Sequence, residues 1–136
     1  MRLFLPMLLL LVAGCAATPQ EIARAQAEQA QRADKLATRL AGYTPGRPQD
    51  CLTNLPGDRP SETIGSTILY VQSSKLVYRN DTTGGCEGME RGDYIVTVSN
   101  SGRLCRGDIG RTFQANSGNV PTGSCALGSF IPYTRR

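Results

Sequence analysis

The hydrophobic pattern changes character twice along the 136-residue chain. Residues 3–12 form an apolar run behind one positive charge, Arg2, too short to cross a bilayer as a helix but suited to the centre of an export signal. A helical pattern follows. Thr18-Pro19-Gln20-Glu21 combines a capping threonine, a proline suited to the first helical position and a carboxylate placed to close a capping box. The helix is expected to run to Gly42, a C-cap glycine. Glu21 with Arg24 and Glu28 with Arg32 are spaced for same-face ion pairs, each worth about 0.3 kcal/mol. Apolar content is thin at first and concentrates at Leu36 and Leu40, which predicts a polar stalk that docks, if anywhere, by its last turns. A weak coiled coil is the competing reading: Ile22, Ala33, Leu36 and Leu40 fit three-and-four spacing, with Gln26 and Gln29 in the seam.

Residues 43–60 are rich in proline and glycine and read as a linker. From Thr63 the period becomes that of strands. Residues 67–72 and 75–80 predict a hairpin around Ser73-Ser74, with Leu69 opposite Tyr78 and Val71 opposite Leu76 on one face, and Ile68, Tyr70 and Val77 on the other. Neither face is clearly solvent. Residues 93–99 predict a strand with Tyr94, Val96 and Val98 on one side, and the turn Asn100-Ser101-Gly102 predicts an antiparallel return through Arg103-Leu104-Cys105. Two further strands are expected at residues 111–115 and 125–131, separated by a polar loop at 116–123. The fold class is therefore α+β: an N-terminal helical tether, then a small antiparallel sheet, curled or barrel-like.

The apolar run ends in Leu11-Val12-Ala13-Gly14-Cys15, which resembles a bacterial lipobox. That resemblance implies cleavage before Cys15 and acylation of its thiol, so that the mature chain is held at a membrane by its lipid. It organises the chain into a signal peptide at residues 1–14, an anchor, helical stalk and linker at 15–49, and a β domain at 50–136. Ala16 stands where an aspartate would resemble an inner-membrane retention signal, so a Gram-negative host implies a periplasm-facing position on the outer membrane. An ordinary cleaved signal ending near Ala16-Ala17 is the alternative.

An exported chain faces an oxidising compartment, which changes the reading of the four remaining cysteines, Cys51, Cys86, Cys105 and Cys125. Their long spacings lack the close pairs of a thiolate zinc site, so two disulfides are expected. Of the three possible pairings, Cys86–Cys105 is preferred because it brackets a hairpin, and Cys51–Cys125 because it ties the domain's ends together. The formal charge of +4 falls to +3 when Arg2 leaves with the signal, and the charges are interspersed, which does not describe a nucleic-acid footprint.

Candidate chemistry is sparse. The chain has no histidine, and with it lacks the commonest general base and zinc nitrogen ligand. Asp81, Glu87, Glu90, Asp93 and Asp108 are the available carboxylates, in turn-like settings that favour solvation over acid–base work. There is no nucleophile elbow, phosphate loop or calcium-loop spacing, so no catalytic residue, metal or cofactor is expected. Arg106-Gly107-Asp108 spells an adhesion-like tripeptide but reads as a turn, and Asn80-Asp81-Thr82 matches a glycosylation sequon. Arg103, Arg106 and Arg111 cluster near one turn and form a candidate patch for an anionic partner, with Arg135 and Arg136 as a second basic point.

The runs Cys86-Glu87-Gly88-Met89, Leu104-Cys105-Arg106-Gly107-Asp108 and Cys125-Ala126-Leu127-Gly128-Ser129-Phe130-Ile131-Pro132-Tyr133 resemble the spaced cysteine motifs of a family of small exported proteobacterial proteins of unknown function. The resemblance spans residues 50–133 and implies one domain, with no substrate or catalytic residue attached. The leading functional expectation is an envelope lipoprotein that presents a β domain for binding or scaffolding, without catalysis. A periplasmic inhibitor of an envelope hydrolase, similar in outline to lipoprotein lysozyme inhibitors, is second; a carboxylate-based enzyme is third.

Overall fold

The computed structural model describes residues 17–52, 61–99 and 101–136. Helix α1, Pro19–Arg39, starts as its sequence dictates: the Thr18 side chain accepts from the Glu21 backbone N–H, and the Glu21 carboxylate accepts from the Thr18 backbone N–H at 2.7 Å. The helix closes at Leu40 rather than Gly42, because the Leu40 side chain is drawn into the core; Gly42, at φ +79°, then redirects the chain. Residues 19–31 are exposed on every side. Only the last turns pack into the core, so Leu36 and Leu40 of the coiled-coil seam are used within the chain.

Among the described residues, ten short strands follow. They are β1 Thr44–Pro45, β2 Cys51–Leu52, β3 Ser61–Ile64, β4 Thr67–Ser73, β5 Leu76–Asp81, β6 Tyr94–Val98, β7 Leu104–Cys105, β8 Ile109–Phe113, β9 Pro121–Ala126 and β10 Phe130–Thr134, with a 3-10 helix at Glu87–Arg91 before β6. All pair antiparallel, in three open sheets: β1-β10-β5-β4-β3, β2-β7 and β6-β8-β9. The single curled or barrel-like sheet expected from the strand spacing does not form among the described residues. Ala126 ends the small sheet and Phe130 begins a strand of the large one, so the strand expected at 125–131 divides. Buried Asn80 holds this crossing, donating to the Gly128 carbonyl at 2.8 Å and accepting from the Gly128 N–H at 3.0 Å. The same burial removes Asn80 as a glycosylation acceptor.

The β4–β5 hairpin forms one register away from the expected one. Tyr70 faces Tyr78 and Val71 faces Val77, and the ladder then shifts so that Ser73 faces Leu76. Ser73 stays in the strand, its Oγ accepting from the Lys75 N–H at 3.2 Å, which lengthens the first strand. A one-residue slip exchanges partners between faces. Ile68, Tyr70 and Tyr78 therefore share one face with Phe130, Leu127, Leu52 and Leu104, while Leu69, Val71 and Val77 share the other with Ile64, Leu36 and Leu40. Both faces of the large sheet are covered, one by the end of α1 and the other by the two smaller sheets.

The disulfides are Cys51–Cys105 and Cys86–Cys125, not the expected Cys86–Cys105 and Cys51–Cys125. The cause is topological. Leu104-Cys105 does not return along β6; it pairs with Cys51-Leu52, which sets Cys51 directly opposite Cys105. The strand that returns along β6 is β8, which carries β9 on its other edge, and buried Cys125 of β9 meets buried Cys86 at the start of the 3-10 helix.

Candidate functional site

Ion pairs seat α1 on the domain. Arg39 forks onto Glu62 of β3, Nε at 2.6 Å and a terminal nitrogen at 3.1 Å, and this hydrogen bonding holds the guanidinium pKa above its ordinary value. Arg32 meets Glu90 at 3.3 Å, and the other Glu90 oxygen accepts from the Gly65 N–H in the β3–β4 turn. Gly65 sits at φ +61° directly under the Arg32 stem, where a Cβ would stand 2.8 Å from the Arg32 Cδ. Glu90 thus ties the helix, the turn and the 3-10 helix together. Open grooves of about 410 and 760 Å³ flank the helix as it leaves the sheet, the first lined by Gln29, Arg32, Leu36 and Ser66, the second by Lys35, Thr38, Arg39 and Glu62.

The carboxylates singled out in the sequence are mostly structural braces. Asp81 accepts from Thr67 at 2.7 Å and Arg79 at 2.9 Å, Glu87 from the Gly85 N–H at 2.8 Å, and Asp108 from the Cys105 N–H at 2.8 Å. The last bond closes the Arg106-Gly107-Asp108 turn. Asp93 differs: its Oδ2 is buried without a hydrogen-bond partner. Among the described residues, no group of three His, Cys, Asp or Glu side chains is placed to hold a metal ion.

The three candidate arginines have different surroundings. Arg111 lies on β8, opposite Val96 of β6 and Ser124 of β9. Arg103 follows the β6 turn, its carbonyl accepting from Ser99 Oγ. Arg106 lies on the far side of β7, 3.9 Å from Asp50, with both side chains well exposed. Arg135 lies over the Tyr43 ring at 5.0 Å and donates to the Ser74 carbonyl, which puts it beside the docked end of α1. β10 separates it from the Arg103–Arg111 region, since Phe130 to Arg135 spans roughly 17 Å of extended chain.

Around Arg111 the structure displays what charge counting missed. The outer face of β6-β8-β9 carries Val96 at 45% exposure, Val98 at 67%, Ile109 and Tyr94, with Val120 at its margin. Tyr94 stacks on Phe113 at 5.6 Å between ring centroids and donates its hydroxyl to Asn119. The placement of Tyr94, Val96 and Val98 on one side of a strand was legible from alternation. That this side faces outward was not, because alternation gives no sign of which face is covered. No helix among the described residues is long and apolar enough to cross a membrane. No protein-family model, characterised protein or solved structure matches the chain.

Proposed function

We propose that this chain is a lipid-anchored envelope protein that presents its β domain to a binding partner. The observation that carries the reading is helix α1: residues 19–31 are solvated on all sides while the last turns are pinned by Leu36, Leu40, Arg32 and Arg39. A free stretch of that length spans roughly 20 Å, enough to hold the domain clear of a lipid surface. Cys15 would be the acylated residue; it lies outside the described residues. The two disulfides fit an oxidising compartment. In a Gram-negative host the anchor would sit in the outer membrane, facing the periplasm. Kinship with the small exported proteobacterial proteins belongs to the same proposal.

The presented surface is the outer face of β6-β8-β9, where aromatic and aliphatic side chains surround Arg111, a composition that suits a protein partner. Acidic groups on that partner, or on an anionic envelope component, would meet Arg111 and Arg103. Two measurements test the proposal. Cys15→Ser is expected to release the protein from the membrane fraction or leave it uncleaved, and an unmodified mature chain starting after Cys15 overturns the anchor. Crosslinking and pull-down from the native envelope should lose a specific partner when Arg103, Arg106 and Arg111 are changed to Glu; an identical set of partners removes the basic residues from the site. Capture of a lysozyme-like hydrolase selects the inhibitor reading.

A further inference from the structure

The two disulfides occupy opposite settings. Cys86–Cys125 lies inside the small sheet, its residues 1% and 4% exposed. Cys51 and Cys105 are each only half-buried, in a sheet of two residue pairs whose other pair, Leu52 and Leu104, is packed into the core. Alternation along the strands is the cause: with both leucines inward, the neighbouring cysteines face the other way. The Cys51–Cys105 bridge is a clasp on the outer side of the β2–β7 pair.

Backbone bonds moor both of its segments independently of the bridge. Gln49 and Phe130 exchange N–H···O bonds at 2.9 and 2.8 Å, and the Arg106 N–H donates to the Asp50 carbonyl at 2.7 Å. The Gly107 N–H donates to the Leu127 carbonyl at 2.8 Å, and the Leu127 N–H donates to the Asp108 carbonyl at 2.9 Å. Two thiols at positions 51 and 105 would therefore stay opposite each other. Their surroundings differ. Cys105 directly precedes Arg106 and follows Arg103 by two residues, and its Sγ lies 3.8 Å from the Ser101 hydroxyl, which is placed to donate to a thiolate there. The Asp108 carboxylate beside it is occupied by the Cys105 N–H at 2.8 Å. Cys51 instead follows Asp50, so a departing thiolate is better accommodated on Cys105.

We propose that Cys51–Cys105 is a redox-exchange site, opened by a dithiol protein and re-closed in place, while Cys86–Cys125 remains a structural bridge. One thiolate of the dithiol attacks Cys51 Sγ, the Sγ–Sγ bond breaks, and Cys105 leaves as a thiolate that then takes a proton. The second thiol of the partner, after losing its proton, attacks the partner's own sulfur in the mixed disulfide and releases Cys51. Two electrons and two protons pass to the cysteine pair, and the dithiol becomes a disulfide. Access and leaving-group quality govern such exchange, and both favour this bridge over the buried one. The inference goes beyond the anchored-module reading and depends on neither the lipid nor the face around Arg111.

The test uses the full chain and a C-x-x-C dithiol protein whose second cysteine is changed to Ser, so that the mixed disulfide persists. Peptide mapping is expected to place that bond on Cys51; a bond on Cys105, Cys86 or Cys125 overturns the proposed direction of attack. Under graded dithiothreitol with rapid alkylation, Cys51 and Cys105 should be labelled at least about tenfold faster than Cys86 and Cys125, with unchanged circular dichroism. Removing the reductant should restore the Cys51–Cys105 bond. In intact cells alkylated before lysis, part of the protein should carry thiols at positions 51 and 105 with Cys86–Cys125 still bonded. Equal labelling of the two pairs, loss of the native spectrum when the first pair opens, or a Cys51–Cys105 pair fully bonded in cells overturns the proposal.

Discussion

The five-stranded and three-stranded sheets bury their residues by opposite rules. In the large sheet bulky side chains fill both faces: Phe130, Ile68, Leu69 and Val77 are at most 1% exposed. In β8 of the small sheet, Gly110 and Thr112 are buried while Ile109 and Arg111 face out. Close approach of backbone produces the inversion. A Cβ on Gly123 would overlap the Gly85 carbonyl oxygen, and one on Gly110 would overlap the Ile95 side chain of the neighbouring strand, so β8 and β9 keep small residues on the inner face beside inward-facing Ile95. The Cys86–Cys125 bridge and the Thr122–Thr112 hydroxyl bond at 3.0 Å occupy that interior. One sheet is held mainly by apolar area, the other by a covalent bridge and near-contact of backbones with Ile95 as its aliphatic contact to the core, which leaves Val96, Val98 and Ile109 outside.

The largest effect should come from the large sheet. Phe130→Ala empties the centre of the core and is expected to cost about 3–5 kcal/mol in denaturant unfolding. In the small sheet, replacing Cys86 and Cys125 together with Ala releases a bridge spanning 39 residues of sequence, worth about 4 kcal/mol by chain entropy. If the comparison is right, hydrogen exchange in that variant accelerates first in β8 and β9; uniform acceleration breaks it. Gly123→Ala should cost about 1–3 kcal/mol by overpacking, although alanine favours strands more than glycine does.

A pH effect separates the two regions without disturbing either core. Burial pushes the Tyr70 hydroxyl of the large sheet up to about 12 from an ordinary 10. Above pH 10 the unfolded chain ionises at this residue before the folded one does, so stability is full below that pH and falls as pH rises towards 12. Tyr70→Phe should remove this part of the alkaline loss, measured by urea unfolding across that window; an unchanged profile assigns the loss elsewhere. The smallest effect belongs to the outer face. Val98→Ser should shift stability by no more than about 0.5 kcal/mol, because the side chain is 67% exposed. A larger loss in the concentrated protein that vanishes on dilution would sharpen the picture by showing that this face contributes to an association.

Local chemistry was legible where a few neighbouring residues suffice. The capping box at Thr18 and Glu21, the docking of Leu36 and Leu40, the hairpin at β4 and β5, and the shared side of Tyr94, Val96 and Val98 all follow from spacing, because helix and strand periods are properties of the backbone. The hairpin register escaped by one residue, since keeping Ser73 in the strand depends on the turn's own hydrogen bonds and on which faces the two layers then cover. Arg103, Arg106 and Arg111 could be picked out from the sequence by charge, but neither their separate settings nor the outward apolar face beside Arg111 could, because exposure is a relation between a residue and what packs opposite it.

By itself, then, the sequence determined a lipobox-like run ending at Cys15, a polar helix capped at Thr18, an even set of four further cysteines and a series of short antiparallel strands, since each of these rests on residue type and near-neighbour spacing. Only the tertiary structure decided that Cys51 meets Cys105 and Cys86 meets Cys125, that the strands divide into three open sheets with Asn80 at the crossing, and that Val96 and Val98 face outward while Gly110 and Thr112 face in. Those outcomes depend on which distant segments come together, and loop-closure entropy grows too slowly with length to choose among partners many residues apart. Packing makes that choice, because buried volume and hydrogen-bond satisfaction must be met for the whole chain at once.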